Sequence, residues 1–232
     1  MNLYFLVEGK RTESKVYPGW LRLLLPDLVK VNHVEDLNEF NYYLFNGGGY
    51  PSLIRTHLGR CIDEINEIGN VDYFVVALDV DETTCEFRVN EILSYIDEQN
   101  LELNRAKLII IPQNRCIETW FLGNKKIYKN NPQNETLVSF CNFYNVRNSD
   151  PEDMPAFDDN WLLAQFHLEY LQLMFKERNM SYTKLKPYEV MKEHYLQELI
   201  DRAEQTDSLQ SFKRFIDFVR ELEKEILRLK SA

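Results

Sequence analysis

The chain has 232 residues, 44% of them hydrophobic, which is enough for one sizeable core and an appended helical part. No stretch approaches the roughly 20 apolar residues of a membrane span, and the initial segment MNLYFLVEGK runs into charged residues instead of a signal-peptide core, so we expect a cytoplasmic protein with no membrane part. The 37 acidic and 27 basic residues give a formal net charge of -10, so that, if the chain acts on nucleic acid, either its basic residues are locally clustered or a partner subunit supplies the binding surface.

Four short apolar runs, rich in aromatic and β-branched residues, predict buried strands at 3–7, 42–45, 73–78 and 108–111. Between them, apolar residues recur at three- and four-residue steps. This spacing predicts a helix over 12–29 that Pro26 bends or ends early, a helix from Pro51 to Gly69, and a helix that follows Thr83. Strands that alternate with helices of this length predict βαβ units, with a mostly parallel sheet covered on both faces.

The rest of the chain has a different pattern. After a short helix over 116–122, the segment 123–160 is rich in Asn, Asp and Pro and is expected to be irregular. Helices are then predicted over 161–176, 188–203 and 209–229. We therefore divide the chain into an α/β core, 1–125, and a second part, 126–232, whose C-terminal helices pack on the core. The apolar stripe of the final helix indicates intramolecular packing more often than a docking surface.

The strongest local signal for chemistry is the pair Asp79 and Asp81 after the third apolar run. In an extended chain, alternation would place both carboxylates on one side, close enough to share a hard cation such as Mg²⁺ or Mn²⁺. Two close anions repel each other, and a bound cation relieves that repulsion. The competing interpretation is that both are turn residues that cap the following helix.

Glu8 supplies a further carboxylate at the end of the first predicted strand, and Gly9 beside it has no side chain. In open parallel sheets, ligands bind outside the carboxyl ends of the strands, where Glu8, the run Gly47-Gly48-Gly49 and the aspartate pair are all predicted to lie. The glycine run lacks the Lys-Ser/Thr of a P-loop, so a plain strand-to-helix turn is the better interpretation of it.

The combination of Val7-Glu8-Gly9 with a later Asp79-Val80-Asp81 resembles the TOPRIM pattern of topoisomerases, primases and OLD-type nucleases. That family places a glutamate after its first strand and a DxD after a later strand of a Rossmann-like sheet. The resemblance implies a TOPRIM fold and a Mg²⁺-dependent site, in which the carboxylates hold metal and the glutamate lies near the reacting group.

A closer resemblance is to RloB-like proteins and to the nuclease subunits that pair with ABC-type ATPases in phage-defence systems such as PARIS. It covers roughly residues 1–125 and includes the segment from Pro112 to Leu122, which carries Glu118 before an aromatic pair. This resemblance adds Glu13 and Glu118 to the metal ligands, although Glu13 lies five residues after Glu8 where relatives often have an acid at four. A salt bridge from Glu118 to Arg115 is an equal alternative.

Basic residues complete the predicted site. Lys184, in the segment Tyr182 to Lys186, is the candidate for stabilising charge on the scissile phosphate, as a lysine does in OLD-type enzymes. The competing interpretation is a solvated surface lysine. Lys10 and Arg11, beside Glu8, are alternative phosphate contacts.

Other metal and nucleophile chemistries are not indicated by the sequence. The four cysteines and four histidines are scattered, without CxxC pairs or zinc-ligand spacing, and are expected to be reduced cysteines and ordinary core or surface histidines.

The leading hypothesis is a metal-dependent nuclease with Glu8 and Lys184 as catalytic residues and Glu8, Glu13, Asp79, Asp81 and Glu118 as metal ligands. Its expected partners are DNA or RNA and an ABC/OLD-type ATPase, with a homo-oligomer as a further option. The alternative is a non-catalytic TOPRIM-fold interaction or regulatory subunit. A small-molecule phosphohydrolase is a third option, but its further phosphate-binding motifs are not found.

Overall fold

A computed structural model describes residues 1–231 and contains a five-stranded parallel sheet flanked by helices, which confirms the predicted α/β, Rossmann-like class. The strands are β1 (Asn2–Val7), β2 (Val29–Lys30), β3 (Asn41–Asn46), β4 (Tyr73–Asp79) and β5 (Lys107–Gln113). Four of them fall on the predicted apolar runs. The fifth, β2, has only two residues, which is too short to show a pattern in the sequence.

The strand order is β2-β3-β1-β4-β5, so that β1 lies in the centre and all of its residues are buried. Its last residue, Val7, pairs in parallel with Asn46 of β3 on one side and with Ala77 of β4 on the other. From β1 the chain first builds one side of the sheet and then crosses to β4 on the other side. This reversal of strand order between β1 and β4 is the place where open α/β sheets bind their ligands.

Eight α-helices are found among residues 1–231. They are α1 (Glu13–Leu24), α2 (Gly59–Ile68), α3 (Cys85–Glu98), α4 (Ile117–Phe121), α5 (Glu135–Phe143), α6 (Leu163–Glu177), α7 (Glu193–Gln205) and α8 (Gln210–Lys230). A π-helical segment, Leu53–Leu58, precedes α2. As predicted, α1 ends before Pro26, because the residue that precedes a proline is disfavoured in the α conformation. Gly69 ends α2 with a φ of 70°, which glycine adopts at little cost.

The structure differs from the sequence prediction most in the segment expected to be irregular. There, α5 forms and is capped by Asn134, whose side chain accepts a hydrogen bond from Leu137 N. The run of Asn, Asp and Pro hid this short helix, although an Asn before an apolar stretch is a typical helix start. The next difference is at α7, which begins at Glu193 instead of residue 188.

The chain forms two compact units. The first comprises Met1–Leu78, Cys85–Pro112 and Asp217–Ala232, and the second comprises Asp79–Thr84 and Gln113–Ile216. In the first, apolar side chains of β1 and β4 pack against α2, including Leu6, Phe74, Val76, Ile62 and Ile65. In the second, Phe140 contacts the rings of Phe157, Trp161, Phe166 and Tyr170. Within residues 1–231, none of the helices has the length and apolar character to cross a membrane.

Candidate active site

Glu8 directly follows β1 and is held by backbone groups of the first unit. Its N–H donates to Ala77 O over 3.0 Å, and its carbonyl oxygen accepts from Gly49 N over 3.0 Å. Its carboxylate oxygen Oε1 accepts from Tyr50 N over 3.1 Å. Gly48 and Gly49 have φ values of 70° and 95°, which explains the need for glycine in this loop. The glycine run is therefore the strand-to-helix turn that the sequence favoured, and one of its N–H groups contacts the main chain of Glu8.

Glu13, the first residue of α1, is only 5% exposed. Its carboxylate lies against Gly9, since a Cβ atom placed on Gly9 would come within 1.8 Å of Glu13 Oε2. The structure thus brings Glu13 to the residue that follows Glu8, despite the five-residue spacing. The absence of a side chain at Gly9 makes this approach feasible. Lys10 and Arg11, between the two acids, are both exposed.

Asp79 and Asp81 belong to the second unit. Asp79 is the last residue of β4, and its Oδ1 accepts a hydrogen bond from Ile117 N over 3.1 Å. Asp79 thus contacts the start of α4, whereas the sequence suggested capping of the helix that follows the pair. At Asp81 the backbone has a φ of 53°, and Asp81 N donates to Arg115 O. The chain is not extended at Asp81, so the alternation argument for its side-chain direction does not apply.

Glu118 is a fully buried carboxylate on α4. Its Oε1 accepts from the hydroxyl of Tyr182 over 2.8 Å, and its Oε2 lies 3.6 Å from Lys184 Nζ. Within residues 1–231, Oε2 accepts no hydrogen bond. The ion pair is with Lys184 and not with Arg115, whose Nη1 donates to Thr83 O. The structure therefore brings together two predicted site residues, Glu118 and Lys184, and adds Tyr182, which the sequence did not single out.

The buried Cys116 thiol, next to α4, lies among several charged groups. Its pKa is raised well above the ordinary value, first by complete burial and then by the negative charges of Glu118 and Asp79; its bond with Thr119 and the positive charge of Lys184 act in the opposite direction. Asp79, Glu118 and Lys184 thus all act on one buried atom of the second unit. A thiol with a raised pKa stays protonated near neutral pH and is therefore a poor nucleophile.

His167 is hydrogen-bonded to Thr119 of α4. The hydroxyl of Thr119 lies 2.7 Å from His167 Nδ1, and His167 Nε2 lies 3.1 Å from Met154 O. Because a carbonyl oxygen can only accept, Nε2 carries the proton and Nδ1 accepts from Thr119. Burial lowers the pKa of His167 from 6.5 to about 4, so the ring is neutral near pH 7. This is the ordinary core role expected for a scattered histidine.

The predicted site residues are therefore divided between the units: Glu8 and Glu13 lie in the first, and Asp79, Asp81, Glu118 and Lys184 lie in the second. Within residues 1–231, no three acidic, histidine or cysteine side chains are arranged as a ready metal-binding group. Sequence reasoning missed Tyr50 and Tyr182. Tyr50 could have been suspected because it follows the glycine run, and Tyr182 because it lies two residues before Lys184.

Comparisons with protein-family models, with curated proteins and with solved structures found no match to this chain.

Proposed function

We propose that this chain is a divalent-metal-dependent nuclease that hydrolyses phosphodiester bonds in DNA or RNA. The proposal rests on where the topology of the sheet places two acidic residues. Glu8 follows β1 and Asp79 ends β4, and these two strands are parallel neighbours at the reversal of strand order. Carboxylates at this position are suited to hold a cation. The resemblance of Val7-Glu8-Gly9 and Asp79-Val80-Asp81 to the TOPRIM pattern gives the same assignment.

The donor set fits a hard divalent cation. The ligands proposed for Mg²⁺ or Mn²⁺ are all carboxylates, which such ions prefer: Glu8, Glu13, Asp79, Asp81 and Glu118. Glu118 gives the structural support, because its Oε2 is buried and accepts no hydrogen bond within residues 1–231. A buried oxygen that lacks a donor is costly; the partly exposed ammonium of Lys184, 3.6 Å away, offsets part of that cost, and a bound metal cation would offset more of it.

When bound, the metal would activate water and neutralise charge on the phosphate. The protein's own groups perform the remaining tasks. Glu8 is held by Tyr50 N and Gly49 N and is proposed to accept the proton of the attacking water. Lys184, which is 41% exposed, is proposed to place its ammonium against a phosphate oxygen, as expected for a group that stabilises developing charge.

We propose a partner on the basis of the charge balance. A net charge of -10 repels nucleic acid at long range, so either the basic residues are locally clustered or a second subunit supplies the binding surface. We propose an ABC/OLD-type ATPase in this role, within a cytoplasmic antiphage defence system.

The experiment is a cleavage assay on plasmid DNA and tRNA, with Mg²⁺ or Mn²⁺ and with EDTA, in the presence and absence of an ABC/OLD-type ATPase as the proposed partner. The test variant is Asp79→Asn, because an asparagine oxygen can still accept the hydrogen bond from Ile117 N while the charge is lost. Asp97→Asn, at an exposed position of α3, is the matched control. Wild type and Asp97→Asn are expected to cut, and Asp79→Asn and EDTA samples are not.

A second candidate is a non-catalytic subunit that retains the fold and regulates a bound ATPase. The acidic charge of the chain favours it, since such a subunit never needs to approach nucleic acid. It predicts that Asp79→Asn spares biological activity. The nuclease proposal is rejected if the wild type cuts neither substrate even with its partner present.

A further inference from the structure

Arg88 is an unusual residue on α3. It is only 2% exposed, whereas its neighbours Glu86 and Phe87 are exposed. Its guanidinium carbon lies 3.9 Å from the centroid of the Tyr50 ring, which is the geometry of a cation–π contact. A buried arginine requires a compensating anion and a structural reason for its position. The contact with Tyr50, which follows the glycine run, suggests that Arg88 is buried here in order to hold the Tyr50 side chain.

Glu91, one turn along α3, supplies the anion and joins the two side chains. Its Oε2 accepts from Arg88 Nη1 over 2.6 Å, and its Oε1 accepts from the hydroxyl of Tyr50 over 2.9 Å. Burial lowers the pKa of Arg88, but the hydrogen bonds with Glu91 and Tyr50 outweigh this effect and raise it above the ordinary value. Arg88 therefore stays charged, and the ring and the hydroxyl of Tyr50 are both fixed.

The main chain of the same tyrosine contacts the candidate catalytic residue. Tyr50 N donates to Glu8 Oε1 over 3.1 Å, next to the bond from Gly49 N to Glu8 O. Gly48 and Gly49, at positive φ, allow the sharp path of this loop, but glycines alone leave it conformationally free. The side-chain contacts of Tyr50 supply the restraint that the glycines lack.

We infer that Tyr50, clamped by Arg88 and Glu91, is a positioning residue that fixes the Glu8 carboxylate through the backbone N–H of Tyr50. The catalytic consequence rests on the proposed nuclease function. A carboxylate that must accept a proton in one geometry loses rate when it samples others, because small misplacements of reacting groups reduce the rate steeply. The clamp thus connects α3 to Glu8 through Tyr50.

The direct test measures the chemical shift of the Tyr50 amide by NMR, in the full chain labelled with ¹⁵N-tyrosine. The pH is varied between about 3 and 6, the range in which carboxylates ionise. An amide that donates to a carboxylate shifts as that carboxylate titrates. The wild type is expected to show a pH-dependent shift at Tyr50 that is lost in Glu8→Gln. No titration at Tyr50, or the same titration in Glu8→Gln, overturns the inference. This readout does not depend on nuclease activity, so it decides whether Tyr50 N holds the Glu8 carboxylate even if the proposed function fails.

The second arm compares Tyr50→Phe with Tyr73→Phe. Both lose a hydroxyl bond to a glutamate, since Tyr73 donates to Glu225 Oε2 over 2.5 Å, and both keep the ring and the backbone. Tyr50→Phe, labelled at phenylalanine, is expected to show a smaller pH-dependent shift at residue 50 and a kcat about tenfold lower at unchanged KM. Tyr73→Phe is expected to leave kcat unchanged. If Tyr50→Phe affects only stability, as Tyr73→Phe would, Tyr50 is merely structural and the inference is wrong.

Discussion

The hydroxyl of Tyr182 donates a hydrogen bond to Oε1 of Glu118 over 2.8 Å, and both side chains are buried. Lys184, two residues further along the chain, lies against the other oxygen of the same carboxylate. One short segment, distant in sequence from α4, therefore both orients Glu118 and balances its charge. The position of a proposed metal ligand depends on this segment, and the first two predictions follow from it.

Tyr182→Phe is expected to destabilise the protein by about 1.5–3 kcal/mol, because it removes a hydrogen bond to a buried, charged group. The matched control is Tyr195→Phe, which removes a bond from a buried tyrosine to the neutral Phe121 O and is expected to cost about 0.5–1.5 kcal/mol. Urea unfolding measures both. Equal losses in the two variants would show that the bond from Tyr182 to Glu118 contributes no more than a bond to a neutral carbonyl group.

Lys184→Met is expected to lower the free energy of unfolding by about 1–2 kcal/mol and to reduce cleavage. Removing one partner of a fully buried ion pair costs more, about 3–5 kcal/mol, but Lys184 is 41% exposed and water screens the charge. Lys186→Met, at an exposed position of the same turn, is the control and is expected to have little effect on either quantity. A Lys184→Met protein that cuts as well as the wild type would remove Lys184 from the proposed chemistry.

Gly9→Ala is expected to displace the Glu13 carboxylate, because the added Cβ would lie 1.8 Å from Oε2. The expected cost is about 1–3 kcal/mol, as for other overpacking substitutions, together with a loss of cleavage. Gly59→Ala is the control, because its new Cβ would lie 3.5 Å or more from Leu101, which is an ordinary contact distance. Its free energy of unfolding is expected to rise by about 0.5–1 kcal/mol. Thermal unfolding and cleavage of both variants provide the comparison; unchanged cleavage in Gly9→Ala would argue against a role for Glu13.

The stability of the protein is expected to depend on His167 in mildly acidic solution. Its pKa falls from 6.5 to about 4 on folding, mainly because of burial; the hydrogen bond with Met154 O opposes this effect, and the nearby charge of Arg115 adds to it. The unfolded chain therefore binds the extra proton in this pH window. Neutral His167 contributes roughly 3 kcal/mol to the free energy of unfolding above about pH 6.5. This contribution is lost as the pH falls toward 4. His167→Gln removes this titration while it offers similar hydrogen-bonding groups. Chemical unfolding at several pH values should show the wild type losing stability relative to His167→Gln; parallel pH profiles would contradict the assignment.

The sheet could be predicted from the sequence because its strands are apolar on both faces, and a buried parallel strand leaves a continuous hydrophobic run. The helices that cover it show the usual periodicity. Two features did not follow from the pattern. The two-residue strand β2 is defined by pairing alone, and α5 lies among residues that usually form turns. Local composition carries little information about either.

The sequence suggests which acids belong to the candidate site, but it does not show which groups hold their side chains. Glu8 and Asp79 stand at the ends of apolar runs, so they can be recognised from the sequence alone. The contacts of Tyr50 with Arg88 and of Tyr182 with Glu118 join residues that are far apart along the chain, and no spacing rule predicts such pairs. The backbone at Asp81 also departed from the extended geometry assumed for it, since aspartate tolerates positive φ better than most residues.

The carboxylates at the carboxyl ends of β1 and β4 are proposed to hold a divalent cation, and a Mn²⁺ titration of the purified chain followed by electron paramagnetic resonance measures this binding. Wild type and Asp97→Asn should bind Mn²⁺ and quench the signal of the free ion, whereas Asp79→Asn and Glu8→Gln should lose that binding while remaining folded. If the wild-type protein leaves the free Mn²⁺ signal unchanged, or if Asp79→Asn binds as well as the wild type, these carboxylates do not form the proposed metal site.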